Sequence, residues 1–164
     1  MPFFAALEEE ILRSQMSGIS VFIQTDANSK LGFTVIPNDP KPQSCNGKIL
    51  WDIIQRHGLI VINSISKKCV GNITRRRVTI SGIEESIIDF VITSSDLVNY
   101  VDKMIIDEQN EHALVKITKT RDVQKSDHNP LITELNIECN NQLIKKKLRS
   151  STLRIRIVKI NLKK

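Results

Sequence analysis

The sequence predicts a mixed α/β (α+β) domain assembled from short strands, on three observations. Helical periodicity of apolar residues occurs clearly in two stretches, 5–15 and 48–57. Elsewhere the apolar residues gather in short β-rich runs such as ISVFIQ, LIVIN and SIIDFVIT. Polar residues concentrate where those runs end.

Taken in order, residues 5–15 predict a helix with Leu7, Ile11 and Leu12 on one face and Glu8, Glu9 and Glu10 toward water, where acids near the start suit the helix dipole. Met16-Ser17-Gly18 ends it, and a buried strand follows over 19–24. Residues 31–45, with Gly32, Pro37, Pro40 and Pro42, form a long loop of the kind that in compact domains is often functional. Asn46 is placed to cap a second helix over 48–57, with Ile49, Ile53 and Ile54 at core spacing and Gly58 closing its C-terminus. A short strand follows over 59–63. Residues 75–80 and 86–93 read as the arms of a hairpin joined by a turn over 81–84. Ser94-Ser95-Asp96 opens a short helical turn through Tyr100. Strands over 101–107 and 113–120, a polar loop over 120–130 and a last strand over 131–137 complete the domain.

Composition bounds the class. Forty percent of the 164 residues are apolar, enough for one core, but aromatics are only 4%, so Ile, Leu and Val must do the packing. The net charge of +6 is unevenly spread: nine of the 24 Lys and Arg lie in 141–164, which has no acid, leaving fifteen against eighteen acids before it. Such a tail suits nucleic acid and equally suits a solvated chain end. Cys45, Cys69 and Cys139 are odd in number, far apart and without a C-x-x-C, which points to reduced thiols in an intracellular protein and away from a disulfide framework or zinc knot. The opening residues have no cationic segment, and three glutamates follow Leu7, so no signal peptide is evident. No apolar run approaches the roughly 20 residues of a membrane span.

Three polar clusters are candidates for chemistry. Asp26-Ala27-Asn28 follows the first strand; a carboxylate and an amide two residues apart on an extended chain share a side, where they could hold a water and a phosphate oxygen. Asx residues also punctuate strand ends for purely structural reasons. Asp89 interrupts an apolar run, and a buried carboxylate is costly unless paired; a strand with one wet face would explain it equally. Ser126-Asp127-His128-Asn129-Pro130 sets a titratable histidine beside an acid suited to a hard cation, although Asp, Asn and Pro also make ordinary turns.

Together the clusters have an order: Asp-x-Asn after a strand (QTDANSKLG, 24–32), a Thr-containing hairpin (ITRRR, 73–77), Ser-x-x-Asp-Phe (SIIDF, 86–90), then Ser-Asp-His before the last strand (SDHNP, 126–130). That order resembles the endonuclease/exonuclease/phosphatase superfamily, and within it the apurinic-type endonuclease domain of non-LTR retrotransposons. Asn46-Gly47-Lys48 leading into LWDIIQRHGLIVINS is similar to the helix and strand that follow the Asp-x-Asn motif there. The resemblance spans about residues 5 to 138. Thr25 stands where the family has glycine, and nothing before Asp26 matches the family's N-terminal Asn, metal-binding Glu and catalytic-loop Tyr. The resemblance therefore extends to the C-terminal half of such a domain.

What it implies is specific. The fold would be part of a four-layer α/β/β/α sandwich of mixed sheets with helices outside, with 1–138 as the half-domain and 139–164 as a basic tail or linker remnant outside the core. The reaction would be hydrolysis of a DNA phosphodiester with Mg²⁺ or Mn²⁺, weakly held in this chain. Asp26 would orient or deprotonate the water, Asn28 would hold a phosphate oxygen, Asp127 would face the metal, and His128 would contact the phosphate with Asp89 fixing its orientation. Thr74 and Ser126 would donate to phosphate, and Arg75 and Arg77 would lie on the DNA backbone, with Arg76 on the opposite side of the strand. Implied partners are DNA, a missing N-terminal half and a reverse transcriptase domain, with no membrane, in an intracellular setting that includes the nucleus. Three readings follow: an active nuclease, a catalytically inactive remnant, and a nucleic-acid-binding or interaction module. The site calls predict that Asp26, Asn28, Asp89, Asp127 and His128 converge at one end of the sheets, with Asp89 bonded to His128.

Overall fold

The computed structural model of the chain describes residues 2–109, 127–136 and 155–160. The first helix, α1 (Pro2–Met16), starts earlier than its apolar spacing indicates, with proline at its first turn, where a missing N–H costs nothing. The glutamates consequently lie past the first turn, where Glu9 and Glu10 pair with Arg13. Phe4, Leu7 and Ile11 form its buried stripe, while Leu12 is about half exposed. Strand β1 (Ser20–Asp26) follows and extends through the first acid, so Asp26 is the last strand residue and not part of the loop.

Helix α2 (Cys45–Arg56) is capped by Ser44, whose hydroxyl accepts the N–H of Gly47, and not by Asn46. The same hydroxyl accepts the N–H of Lys30, and the Ser44 N–H donates to the Lys30 carbonyl, so the long loop is cinched at its neck. The approach is so close that a Cβ on Gly47 would sit 1.8 Å from the Lys30 carbonyl oxygen. Inside the loop, buried Asp39 accepts the N–H groups of Gly32 and Lys41. The α2 stripe is Leu50, Ile53 and Ile54, with Ile49 toward solvent; burying each such side chain stabilises by roughly 1.5–3 kcal/mol. Gly58, at φ +61°, ends the helix in the left-handed turn that a Cβ disfavours.

The remaining strands are β2 (Leu59–Val61), β3 (Cys69–Val70), β4 (Arg75–Thr79), β5 (Gly82–Ser86), β6 (Asp89–Ser94), β7 (Val101–Ile106), β8 (Leu131–Leu135) and β9 (Ile155–Ile160), with 3₁₀ turns at Ile62–Ser64 and Ser95–Tyr100. The turn expected over 81–84 is mostly strand β5, and the returning arm expected over 86–93 is mostly β6, which is not the partner of β4. β5 pairs with β4 across a turn at Ile80-Ser81 to make a separate hairpin, and β6 joins another sheet between β1 and β2. The expected strand over 113–120 lies outside the described residues.

The main sheet has the order β2-β6-β1-β9, antiparallel except for β1 beside β9, and the second is β3-β7-β8 with one parallel and one antiparallel pair. Part of the basic tail therefore lies in the sheet: Ile155–Ile160 runs along β1 as an edge strand, the arrangement that its alternation permits. Alternation also explains the layering. Val21 and Ile23 of β1 and Phe90 and Ile92 of β6 pack on both helices. Phe22 and Val91, on the opposite face, pack on Val101, Met104 and Ile106 of β7. Helices, sheet and second sheet make an α+β sandwich, three of the four layers that the resemblance implies among the described residues. None of the described helices is long and apolar enough to cross a membrane.

Candidate active site

The end of β1 and the start of β6 are register partners, so Asp26 lies directly opposite Asp89 across an antiparallel pair. Opposed residues in such a pair project to the same face. Asp89 is where the apolar run breaks. The N–H groups of Ile88 and Asp89 both donate to Thr74 Oγ1, at 2.9 and 3.1 Å, and this capture ends the hairpin and starts β6.

His128 arrives from the far side of the chain. Its segment docks on the start of β4 as an isolated bridge to Arg75, with Arg76 N–H donating to the Asp127 carbonyl (2.8 Å) and Asn129 N–H to the Thr74 carbonyl (2.7 Å). The Asn129 side chain adds a bond to the Ile73 carbonyl at 2.6 Å. His128 Nδ1 then lies 3.0 and 3.2 Å from the two Asp89 carboxylate oxygens. Its Nε2 is 3.9 Å from Asp26 Oδ2 and 3.8 Å from Asp127 Oδ1. The predicted Asp89–His128 pair is present, and its geometry turns the second ring nitrogen toward two carboxylates.

Each remaining position has a definite setting. Asn28 is exposed, at φ +44°, and its N–H donates to Asp26 Oδ1 in an Asx turn that steadies the carboxylate. Asp127 Oδ2 accepts Arg75 Nε at 2.8 Å, so Arg75 is engaged within the site. Arg76 pairs with Glu85 and lies near Glu108, whereas Arg77 is exposed on the hairpin opposite Glu84. Thr74 is fully buried, and its hydroxyl oxygen accepts two backbone N–H groups, so it organises the strand start. Ser126 lies outside the described residues. Asn129, which anchors the His128 segment, was not singled out from the sequence; an amide following a histidine in a turn-rich string gives no reason to choose it.

The electrostatics follow from burial. The Asp89 carboxyl is raised to about 6, chiefly by desolvation; His128 and a Thr74 hydrogen bond oppose the rise, and Asp26 opposite adds to it. The Arg75 hydrogen bond holds Asp127 below the usual carboxylate range. Asp26, Asp89 and His128 offer ligand atoms all within 4.8 Å of one another. With one His128 nitrogen on Asp89, the outward donors are mainly carboxylate oxygens, a set that fits a hard divalent cation keeping several of its waters.

A solved structure is similar to this α+β sandwich. The endonuclease domain of TRAS1, a telomere-specific non-LTR retrotransposon, shares the fold with a TM-score of 0.57 at 19% identity, over 82% of this chain and 52% of that one. The chain thus spans about half the length of that structure. No protein-family model and no curated protein matches the chain.

Proposed function

We propose that the chain carries the acid–histidine end of a metal-dependent endonuclease that hydrolyses DNA phosphodiesters, of the retrotransposon type. The observation that carries this reading is the convergence of Asp26, Asp89 and His128 at the strand ends, together with the likeness to an endonuclease domain. Asp89 accepts from His128 Nδ1 and orients the ring, whose Nε2 meets a non-bridging phosphate oxygen. Asp26 Oδ2 takes the proton of a water whose oxygen bonds to phosphorus as the bond to the leaving deoxyribose oxygen breaks. Asn28 holds a second phosphate oxygen, and Arg77 lies along the DNA backbone. Asp127 would hold Mg²⁺ or Mn²⁺ beside the cluster of Asp26, Asp89 and His128, and the ion when bound would polarise the phosphate.

Binding of that ion is weak, because Arg75 already neutralises Asp127. The same ion pair favours a second reading, a module that holds nucleic acid and cuts it poorly. Further ligands would come from the part of the TRAS1-like fold that has no counterpart in this chain.

The test combines plasmid nicking in Mg²⁺ and Mn²⁺ with Mn²⁺ line-broadening of the labelled protein, using His128→Ala as control. The expected result is selective broadening at Asp26, Asp127 and His128, with slow or undetectable nicking that the control does not exceed. Broadening scattered over surface acids, or nicking that survives His128→Ala, would refute the site. Fast nicking abolished by the control would show that the site is complete in this chain and that the weak-metal argument is wrong.

A further inference from the structure

Strand β2 stops pairing with β6 after Val61 opposite Ile92, where the chain turns into the 3₁₀ turn at Ile62–Ser64. β6 runs on toward Asp89 with that edge uncovered by any described strand. Asn63 closes the gap. Its Nδ2 donates to the Asp89 carbonyl at 3.1 Å, and its Oδ1 accepts the Val91 N–H at 3.0 Å, both bonds buried. Along an antiparallel edge, the C=O of one residue and the N–H two positions on point the same way and are met by an N–H and a C=O of the neighbouring strand. A primary amide carries both groups on one carbon. Asn63 therefore continues the ladder for one more step without a strand.

Asn63 itself borders a cleft of about 500 Å³ lined also by Ile36, Ser64, Cys69, Ile87 and Ile106. Thr74 holds the N–H side of Asp89, and Asn63 holds its carbonyl side.

We propose that Asn63 is a positioning residue for the Asp89–His128 pair: its amide fixes the main chain around Phe90 and so holds the Asp89 carboxylate within bonding distance of His128 Nδ1. The catalytic meaning of the pair rests on the function proposed above; the positioning itself does not.

The experiment uses the full ¹⁵N-labelled chain at neutral pH and reads the His128 ring by NMR. In the wild type, Nδ1–H bonded to a carboxylate gives a protected, downfield ring proton. Asn63→Asp retains size and the acceptor for Val91 but loses the donor to Asp89. Asn63→Leu removes both bonds. Val61→Ala weakens the same β2–β6 junction through packing and leaves the amide intact. Ring-proton exchange is expected to be about fivefold faster or more in both Asn63 variants, as the loss of one net hydrogen bond predicts, and unchanged in Val61→Ala despite its lower stability. A folded Asn63 variant with the wild-type ring signal would overturn the proposal. So would equal loss of the signal in Val61→Ala. If neither Asn63 variant folds while Val61→Ala does, Asn63 is a core determinant of the fold and the positioning role fails. Because no DNA or metal enters the measurement, failure of the nuclease reading leaves this outcome unaffected.

Discussion

Replacing Asp89 by Asn is expected to stabilise the protein at neutral pH while disabling its site. Burial raises the Asp89 carboxyl from an ordinary 3.8 to about 6. Below 3.8 the group is protonated in both the folded and the unfolded chain and has no effect on their balance. Between 3.8 and 6 the folded state keeps a proton that the unfolded state has lost, so the stability that this proton represents declines as pH rises. Above 6 the loss is complete. The gap between 3.8 and about 6, at ~1.36 kcal/mol per pH unit, corresponds to about 3 kcal/mol. Asparagine is neutral throughout, and its carbonyl still accepts from His128, but its NH₂ must find an acceptor where two carboxylate oxygens stood. Setting about 1 kcal/mol against that mismatch leaves a gain of about 2 kcal/mol at pH 7.5, or a rise in Tm of about 4–8 °C for a domain of this size. Thermal melts at pH 7.5, 5 and 4 measure it. The gain should shrink as pH falls, vanish at about pH 4.5 and turn into a loss approaching about 1 kcal/mol below that, as the ionisation contribution fades and only the amide mismatch is left. A variant less stable than wild type at pH 7.5, or an advantage that does not vary with pH, would refute the argument that Asp89 is held ionised against its burial.

Thr74→Val, which preserves shape, should destabilise by about 3 kcal/mol in urea unfolding, because two buried N–H groups lose their acceptor at roughly 1–3 kcal/mol each; a loss under 1 kcal/mol would mean that water replaces the hydroxyl. Gly47→Ala should cost at least about 2 kcal/mol, since its Cβ would meet the Lys30 carbonyl at 1.8 Å and force the loop neck open. A neutral result in the same assay would show the neck to be adaptable.

The sequence made the site more legible than its surroundings. Asp26, Asp89 and His128 stood out because acids and a histidine beside apolar runs are chemically conspicuous, and the structure brings them together. The capping role of Thr74 was not legible, because a hydroxyl that caps buried N–H groups and one that meets phosphate look identical in a string of letters. The split of residues 82–94 into two strands was hidden, since Ile87 and Ile88 bear no glycine or proline to mark the break; Thr74, distant in sequence, makes it. Helix faces were right in part: Ile53 and Ile54 are buried as spaced, but Leu50 completes the stripe and Ile49 faces solvent. Ser44 displaced Asn46 as cap because its hydroxyl also secures Lys30 across the loop, a tertiary reward that local preference does not contain.

The opposition of Asp26 and Asp89 in the β1–β6 register has a consequence for molecules that fold wrongly. Side chains alternate along a strand, so sliding β6 by one residue would turn Asp89 into the helix-side core and bring Phe90 out in its place. Such a molecule would have neither a sound interior nor a carboxylate near His128. Strand pairing thus acts as proofreading: the alignment that buries Phe90 and Ile92 is the same one that sets Asp89 opposite Asp26 and beside His128.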